Sequence, residues 1–309
     1  MQQRVFGRTG WSVSPLGFGG APIGFLETEQ QRVEQVLNLL LDSGVNVIDT
    51  AASYVGSEEA IGRAISHRRG EYLLVSKCGQ RFDDLPGEAW SAEVVTATVD
   101  RALQRLRTDH LDVMLLHSGG LEMLQKGEAL GALVAAREAG KIGFAGYSGD
   151  NEAAAYAVTL PDIAVLETSV NFCDQANLEK VLPAAVEHEV GVIAKRPIAN
   201  TAWRPLDQMQ GLYQSYARPY RERFEAMGLT LSDLGLDESQ IDWSELALRF
   251  TLSQPGVHVA IVGTSNPEHV KRNLEIADRE PLGQETIGRL RDAFRRAEAA
   301  SGERWTAQT

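Results

Sequence analysis

The stretch NVIDTAASYVGSEEAIG, residues 46–62, opens as a short apolar strand and closes as the start of a helix. Val45, Val47 and Ile48 supply the strand. Ser57, followed by Glu58, Glu59 and Ile61, has the pattern of a capped helix start, with Ser57 expected as the cap. Between the two, Asp49 ends the strand and Tyr54 follows a short turn later. Taken singly, Asp49 and Ser57 are ordinary turn residues and Tyr54 an ordinary half-buried aromatic. A strand running straight into a helix is one unit of an α/β fold, so the question is whether the unit repeats.

It repeats along most of the chain. Upstream, Val33, Leu37, Leu40 and Leu41 share one helical face, and Gly44 stops that helix. Downstream, YLLVSK reads as a strand, and Val95, Val99, Leu103 and Leu106 follow a helical period. LDVMLLH is the next strand, Leu130, Leu133 and Val134 mark a helix closed near Gly140, and GFAGYS follows. AVLETSVN, the helical set Leu178, Leu182 and Ala185, GVIAKRPI, HVAIVGT and the helix PEHVKRNLEIA complete the series. The strand runs are continuously apolar, as in parallel sheets buried on both faces. With SVSPLGFGG as the first strand, about eight strand–helix units are expected, the number that closes a (β/α)8 TIM barrel. No composition break divides residues 1–309, so they are read as a single domain. Residues 200–243 stand apart, being long, mixed and aromatic (Trp203, Tyr213, Tyr216, Tyr220, Phe224), and are expected as a long loop before the eighth strand. ETIGRLRDAFRRAEAA is expected as a terminal helix on the outside of the barrel.

Composition narrows the function classes. The chain has 309 residues, 43% hydrophobic and 23% charged, with 30 basic against 42 acidic residues and a net charge of -12. No basic run offers itself to a nucleic-acid backbone. Cys78 and Cys173 form neither a disulfide framework nor a metal cluster. The first residues lack the apolar stretch of a secretory leader, and no apolar run reaches the roughly 18 residues that span a bilayer. A cytoplasmic protein with no membrane partner is expected.

In a TIM barrel, polar residues at the C-terminal ends of strands build the site. Here Asp49 ends the second strand, Lys77 the third, His117 the fourth and Ser148 the fifth. A phenol with a pKa near 10 is a poor acid at neutral pH. An adjacent ammonium stabilises the phenolate, a carboxylate fixes the ammonium, and a histidine orients a carbonyl oxygen. Asp, Tyr, Lys and His together are what a site needs to protonate an oxygen as hydride reaches its carbon.

The segments IDTAASYVGSEEAIG, LLVSKCG and DVMLLHS resemble those bearing the catalytic tetrad of the aldo-keto reductases. The resemblance continues through GYSGDN, VLETSVNF, IAKRPIANTAW and VGTSNPEHVKRN, in order and over nearly the whole chain. It implies a TIM barrel that uses NADPH or NADH to interconvert carbonyls and alcohols. It assigns Tyr54 as proton donor, Lys77 as the partner that lowers its pKa, Asp49 as the anchor of Lys77, and His117 as the group orienting the carbonyl. LGFGGAPIG lacks the G-x-G-x-x-G of a Rossmann turn, and no helix is expected directly after it. In the family this strand end runs under the nicotinamide, with Gly19 and Gly20 permitting close approach. EHEV at 187–190 has no second His to complete a zinc motif.

The resemblance extends to the cofactor with departures. Ser148 aligns with the serine that binds the nicotinamide carboxamide, Gly149 stands where Asn is common, and Glu167 stands where Gln is usual. A carboxylate can accept from the carboxamide but cannot donate to it. Arg196 and Pro197 would follow the pyrophosphate. Gly263 and His269 occupy positions where a Lys and an Arg often clamp the 2′-phosphate, with Thr264, Ser265, Arg272 and Asn273 beside them. Arg272, standing where many relatives carry Glu, favours NADP(H), with NAD(H) as the alternative. The substrate class implied is a small carbonyl compound or polyol, with Ala21, Phe172, Trp203 and the 200–243 segment near it. The alternative function is a nicotinamide-binding regulatory subunit with little turnover. A lyase or isomerase on the same barrel would need a metal or phosphate site, for which the sequence has no evident cluster.

Overall fold

The apolar runs pair in parallel, neighbour to neighbour, until the last meets the first. The computed structural model describes residues 1–26, 28–209 and 213–308. Its barrel strands are β1 (Leu16–Gly19), β2 (Val47–Asp49), β3 (Leu73–Cys78), β4 (Leu111–His117), β5 (Ile142–Ser148), β6 (Ile163–Ser169), β7 (Gly191–Lys195) and β8 (Val259–Val262). They close in chain order, β8 pairing with both β7 and β1. Each is followed by a helix: α1 (Gln30–Asp42), α2 (Ser57–Ile65), α3 (Ala92–Leu106), α4 (Glu128–Glu138), α5 (Asn151–Ala157), α6 (Val181–Glu187), α7 (Trp243–Leu252) and α8 (Pro267–Ala277). Among the described residues no helix is long and apolar enough to cross a membrane.

Alternate side chains of a strand face opposite ways, which divides the core in two. Val47, Val75, Val113, Leu115, Val165, Ile193, Val259 and Ile261 fill the lumen, together with Phe6 and Val13. Their neighbours Ile48, Leu74, Met114, Leu116, Leu166, Val192 and Ala260 pack outward against the helices. Phe6 and Val13 belong to a small hairpin, Arg4–Val5 paired with Ser12–Val13, whose side chains fill the N-terminal end of the lumen.

A third cluster lies beside the barrel. Phe172, Tyr220, Phe250, Leu290 and Phe294 are buried there, joining the loop after β6 to α7, the terminal helix Gln284–Ser301 and a helix at Tyr213–Met227. The 200–243 segment, expected as a loop, is thus partly helical: Ala217, Tyr220 and Met227 bury one side of that helix. Its helical period is masked in the sequence by Pro219 and by the charged residues between.

Two local readings are corrected. A short helix, Ala21–Phe25, does begin directly after Gly20, with Pro22 in its first turn where a missing N–H costs nothing. Ser57 does not cap α2. Gly56, at φ 74°, holds the cap position, and Ser57 Oγ lies 2.8 Å from Thr50 Oγ1 and donates to the Gly20 carbonyl at 3.1 Å. The serine therefore ties the turn to β1.

Candidate active site

The lumen column that is apolar through the barrel turns polar at its last position. Two residues beyond Val47, Val75, Leu115, Val165 and Ile193 come Asp49, Lys77, His117, Glu167 and Lys195. Strand register sets them side by side: His117 opposite Ser148, Ser148 opposite Glu167, and Ser169 opposite Lys195.

Lys77 is the centre of this layer. Its Nζ donates to Asp49 Oδ1 at 2.5 Å and to the Thr50 carbonyl at 3.0 Å. Glu167 Oε2 lies 3.1 Å from the same nitrogen, and the side chains of Lys77, Asp49 and Glu167 are at most 3% exposed. Ser148 Oγ donates to the other Glu167 oxygen at 3.3 Å. Burial alone would lower the Lys77 pKa, but the charges of Asp49 and Glu167 hold it above the ordinary ammonium range. Asp49 is pushed well above the usual carboxylate range by burial and by Glu167, against the pull of Lys77. The Lys77 shift reflects two carboxylates around one cation and the Asp49 shift reflects burial first, so both groups retain protons.

Tyr54 reaches this cluster through a tight turn. Thr50 N–H donates to the Val75 carbonyl at 2.9 Å, Ala52 N–H to that of Lys77 at 3.3 Å, and Tyr54 N–H to that of Ala51 at 3.0 Å. The parallel pairing of β2 with β3 therefore continues into the loop and carries the phenol over Lys77. The ammonium is 5.3 Å from the centre of the Tyr54 ring. His117 meets the same ring edge-on at 6.0 Å, and its Nδ1 is 3.4 Å from Ser53 Oγ. Burial, and then the cations Lys77, Lys195 and Arg196, keep the His117 pKa well below 6.5. It is a neutral imidazole at physiological pH.

The expected lowering of the Tyr54 pKa is not the net result. Burial pushes the phenol up to about 12, with Asp49 and Glu167 adding to the rise and Lys77 and Arg196 opposing it. The ammonium acts as expected, but the carboxylates beside it offset much of its effect.

A second buried pair adjoins the first and was not singled out from the sequence. Lys195 Nζ lies 2.9 Å from Asp150 Oδ2. Asp150 also accepts from Thr168 Oγ1, Ser169 N and Asn177 Nδ2 at 2.7–2.9 Å. Burial opposes ionisation of Asp150, yet Lys195 and these donors bring its pKa below the ordinary value. Lumen parity carried one step past Ile193 is the signal that would have found Lys195. Arg196 follows it at φ 55° and donates to Ser169 Oγ at 3.2 Å and to the Gln308 carbonyl.

The glycines near β1 have reasons within the protein itself. A Cβ on Gly20 would stand 2.9 Å from the Asp49 carbonyl and from Ser57 Oγ, whereas one on Gly19 meets only ordinary contacts. A Cβ on Gly263 would stand 2.6 Å from the Gly19 carbonyl and from Pro22. No side chain, and so no clamping lysine, fits at 263 without moving β1.

The remaining residues of this end sit around the start of α8. Asn266 caps it, accepting from Glu268 N–H at 3.0 Å. Thr264 Oγ1 lies 3.3 Å from His269 Nδ1 and accepts from Asn266 N–H at 3.1 Å. Ser265 lies in the same turn, Asn273 in the second turn of α8, and Pro197 accepts from Thr251 Oγ1 at 3.1 Å. Arg272 is 38% exposed and 3.2 Å from the buried Glu245, which Arg249 and Arg279 also hold, at 2.9 and 2.6 Å. Glu245 is thus neutralised without Arg272, whose guanidinium retains donors for an anion. Phe172, expected beside the substrate, is instead fully buried, stacked between Trp203 and Trp243 with ring centres 6.4 and 5.7 Å away. Ala21 is half-buried at the start of the short helix after β1.

Comparison with known proteins agrees with this fold. An oxidoreductase of Bacillus subtilis named YqkF, itself described as uncharacterized, is 31% identical over 94% of this chain and 95% of its own length. Among solved structures, an aldo-keto reductase of Bacillus halodurans in its holo form superimposes with a TM-score of 0.79 at 26% identity, covering 95% of this chain and 96% of that one. An aldo/keto reductase of Klebsiella pneumoniae, solved in complex with NADP and acetate, superimposes with a TM-score of 0.75 at 25% identity, covering 95% and 96%. The model of the Aldo/keto reductase family matches residues 15–294, and this chain belongs to that family.

Proposed function

We propose that this oxidoreductase interconverts a small aldehyde, ketone or sugar carbonyl and its alcohol, with Tyr54 as proton donor and acceptor and NADP(H) as cofactor. One observation carries the reading: a fully buried ammonium, Lys77, held by Asp49 at 2.5 Å and set 5.3 Å from the ring of Tyr54. An ion pair taken out of water is costly unless its geometry is excellent, so its placement under a phenol calls for a purpose beyond stability.

Nicotinamide, when bound, supplies or accepts the hydride. The chain's own groups manage the oxygen. An oxygen gaining negative charge as its carbon is reduced becomes far more basic than a phenolate, so a phenol with a pKa of about 12 still gives up its proton. Lys77 then stabilises the phenolate left behind. Neutral His117, edge-on to Tyr54, can donate an N–H to the same oxygen without competing for the proton.

The residues present fit a phosphorylated dinucleotide. Ser148 and Glu167 supply acceptors for a carboxamide, and Arg196 a cation beside Pro197 for the pyrophosphate. Thr264, Ser265 and Arg272, beside the capped start of α8, supply side-chain donors for a further phosphate. His269 and Asn273 lie beside that site, and Gly19, whose added Cβ would meet only ordinary contacts, presents bare backbone at the end of β1. Structures of the Klebsiella pneumoniae relative with NADP and with NADPH support the same choice. The test is to follow absorbance of NADPH and NADH with a panel of aldehydes, ketones and sugars, and of the oxidised cofactors with polyols. No turnover with any of them would sink the reading in favour of a regulatory nicotinamide-binding subunit.

A further inference from the structure

The buried ammonium at the head of the site serves two carboxylates. Lys77 Nζ is 2.5 Å from Asp49 Oδ1 and 3.1 Å from Glu167 Oε2. The neighbouring cations are engaged elsewhere: Lys195 by Asp150 at 2.9 Å, and Arg196 by Ser169 and the Gln308 carbonyl. The two carboxylates share the one ammonium of Lys77 in a space shielded from water, where charges act strongly, and Asp49 is pushed well above the usual carboxylate range by burial and by Glu167. Among the described residues, the titratable and charged groups that face Tyr54 include Asp49 at the end of β2, Lys77 on β3, His117 on β4, Glu167 on β6 and Arg196 after β7. Lys77 and Arg196 favour the phenolate, and the two carboxylates favour the phenol. Asp49 is needed to hold Lys77 under the ring. Glu167, reaching the same nitrogen from the opposite side of the lumen, has no such necessity.

We propose that Glu167 is a positioning residue of the proton-transfer site. As second counter-ion of Lys77 it offsets part of the ammonium's effect on Tyr54 and adds to the preference, set first by burial, for the protonated, donating phenol. The inference rests on the reading of Tyr54 as proton donor. A glutamine at 167 would keep a carbonyl for Lys77 and a partner for Ser148 while removing the charge, so charge and geometry can be separated.

The test is a titration of Tyr54 by carbon NMR of labelled tyrosine in the cofactor-free protein, with Tyr54→Phe identifying its resonance. Wild-type Tyr54 should remain a phenol beyond the ordinary value of about 10. Glu167→Gln should titrate lower by about one unit or more, giving about ten times more phenolate at intermediate pH. Ser148→Ala, which removes a contact but no charge, should leave the titration in place. The pH at which alcohol oxidation rises should fall in Glu167→Gln by the same amount. A Tyr54 titration that is unmoved or raised in Glu167→Gln overturns the proposal. Should that variant fail to fold, wild type decides: Tyr54 titrating at or below the ordinary value means Lys77 dominates, and overturns it equally. The titration needs neither cofactor nor turnover, so the two readings fail separately. A stationary titration with carbonyl reduction intact removes only the role of Glu167. A moving titration with no reduction by wild type removes only the role of Tyr54.

Discussion

Two groups of charges at the C-terminal face of the barrel are built on opposite principles. At the lumen, Lys77, Asp49 and Glu167 lie at the ends of three strands, are at most 3% exposed and satisfy one another. At the start of α8, Arg272 is 38% exposed on a helix, leaning on a glutamate that two other arginines already neutralise. The first group is held together by a shared ammonium, because buried charges are costly unless paired. The second lies at the surface, where Arg272 also meets Asp242 and Glu275 at 3.7 and 3.8 Å, and water makes such loose exposed pairs cheap to exchange for a ligand. Substitutions in the two groups should therefore differ in kind: stability and turnover together at the lumen, cofactor choice alone at α8.

The largest expected effect is that of Lys77→Met. Removing the ammonium strands two buried carboxylates, at a cost of about 3–5 kcal/mol, and deprives Tyr54 of its cation. Turnover should be nearly abolished. The folded-state pKa of Asp49, already raised by burial and by Glu167, would rise further without Lys77 to lower it. Stabilisation by protonation is then fully present below the unfolded pKa and lost as pH rises through the folded one. Chemical denaturation should accordingly find the variant weakest relative to wild type at pH about 8 and partly recovered at pH about 5. Equal stability of the two proteins across that range would break the contrast.

Tyr54→Phe should lower turnover by about 100- to 10,000-fold, the usual worth of a positioned acid, with cofactor binding nearly unchanged. More than a tenth of the wild-type rate would remove Tyr54 from the proton transfer. Arg272→Glu should act on cofactor choice only. A charge-assisted bond is worth about 1.5–3 kcal/mol, so catalytic efficiency with NADPH should fall about tenfold or more while that with NADH changes little. A wild-type preference for NADH, or an equal loss with both cofactors, would erase the distinction between the two groups. The smallest effect concerns pH. His117 titrates well below 6.5 and Tyr54 at about 12, so carbonyl reduction at saturation should vary by less than about twofold between pH about 6.5 and 8. A limb in that interval would show that His117 or Tyr54 titrates closer to neutrality than its surroundings imply.

Much of this was legible in the residues. Continuous apolar runs between periodic helices announce a sheet buried on both faces, and eight such units leave little choice but a closed barrel. Polar residues at the ends of those runs, Asp49, Lys77, His117 and Ser148, announce the face that holds the site. The reading of the fold holds because it depends on strand periodicity and chain order, which are local properties. The turn after β1 was read as free of helix, and the 200–243 segment as a loop. There, tertiary burial of Ile23 and of Ala217 and Tyr220 outweighs weak local signals.

What the sequence by itself determined was the barrel and the cast of residues in its upper layer. Which of them touch was decided only by tertiary structure. Glu167 is ninety residues from Lys77 in the chain, and no local pattern tells whether its carboxylate turns toward a ligand or toward that ammonium. Closing the barrel puts β6 across the lumen from β3 and leaves one cation between two acids. The net direction of the Tyr54 pKa follows first from burial and then from the balance of those charges, and residue types read one strand at a time cannot supply it.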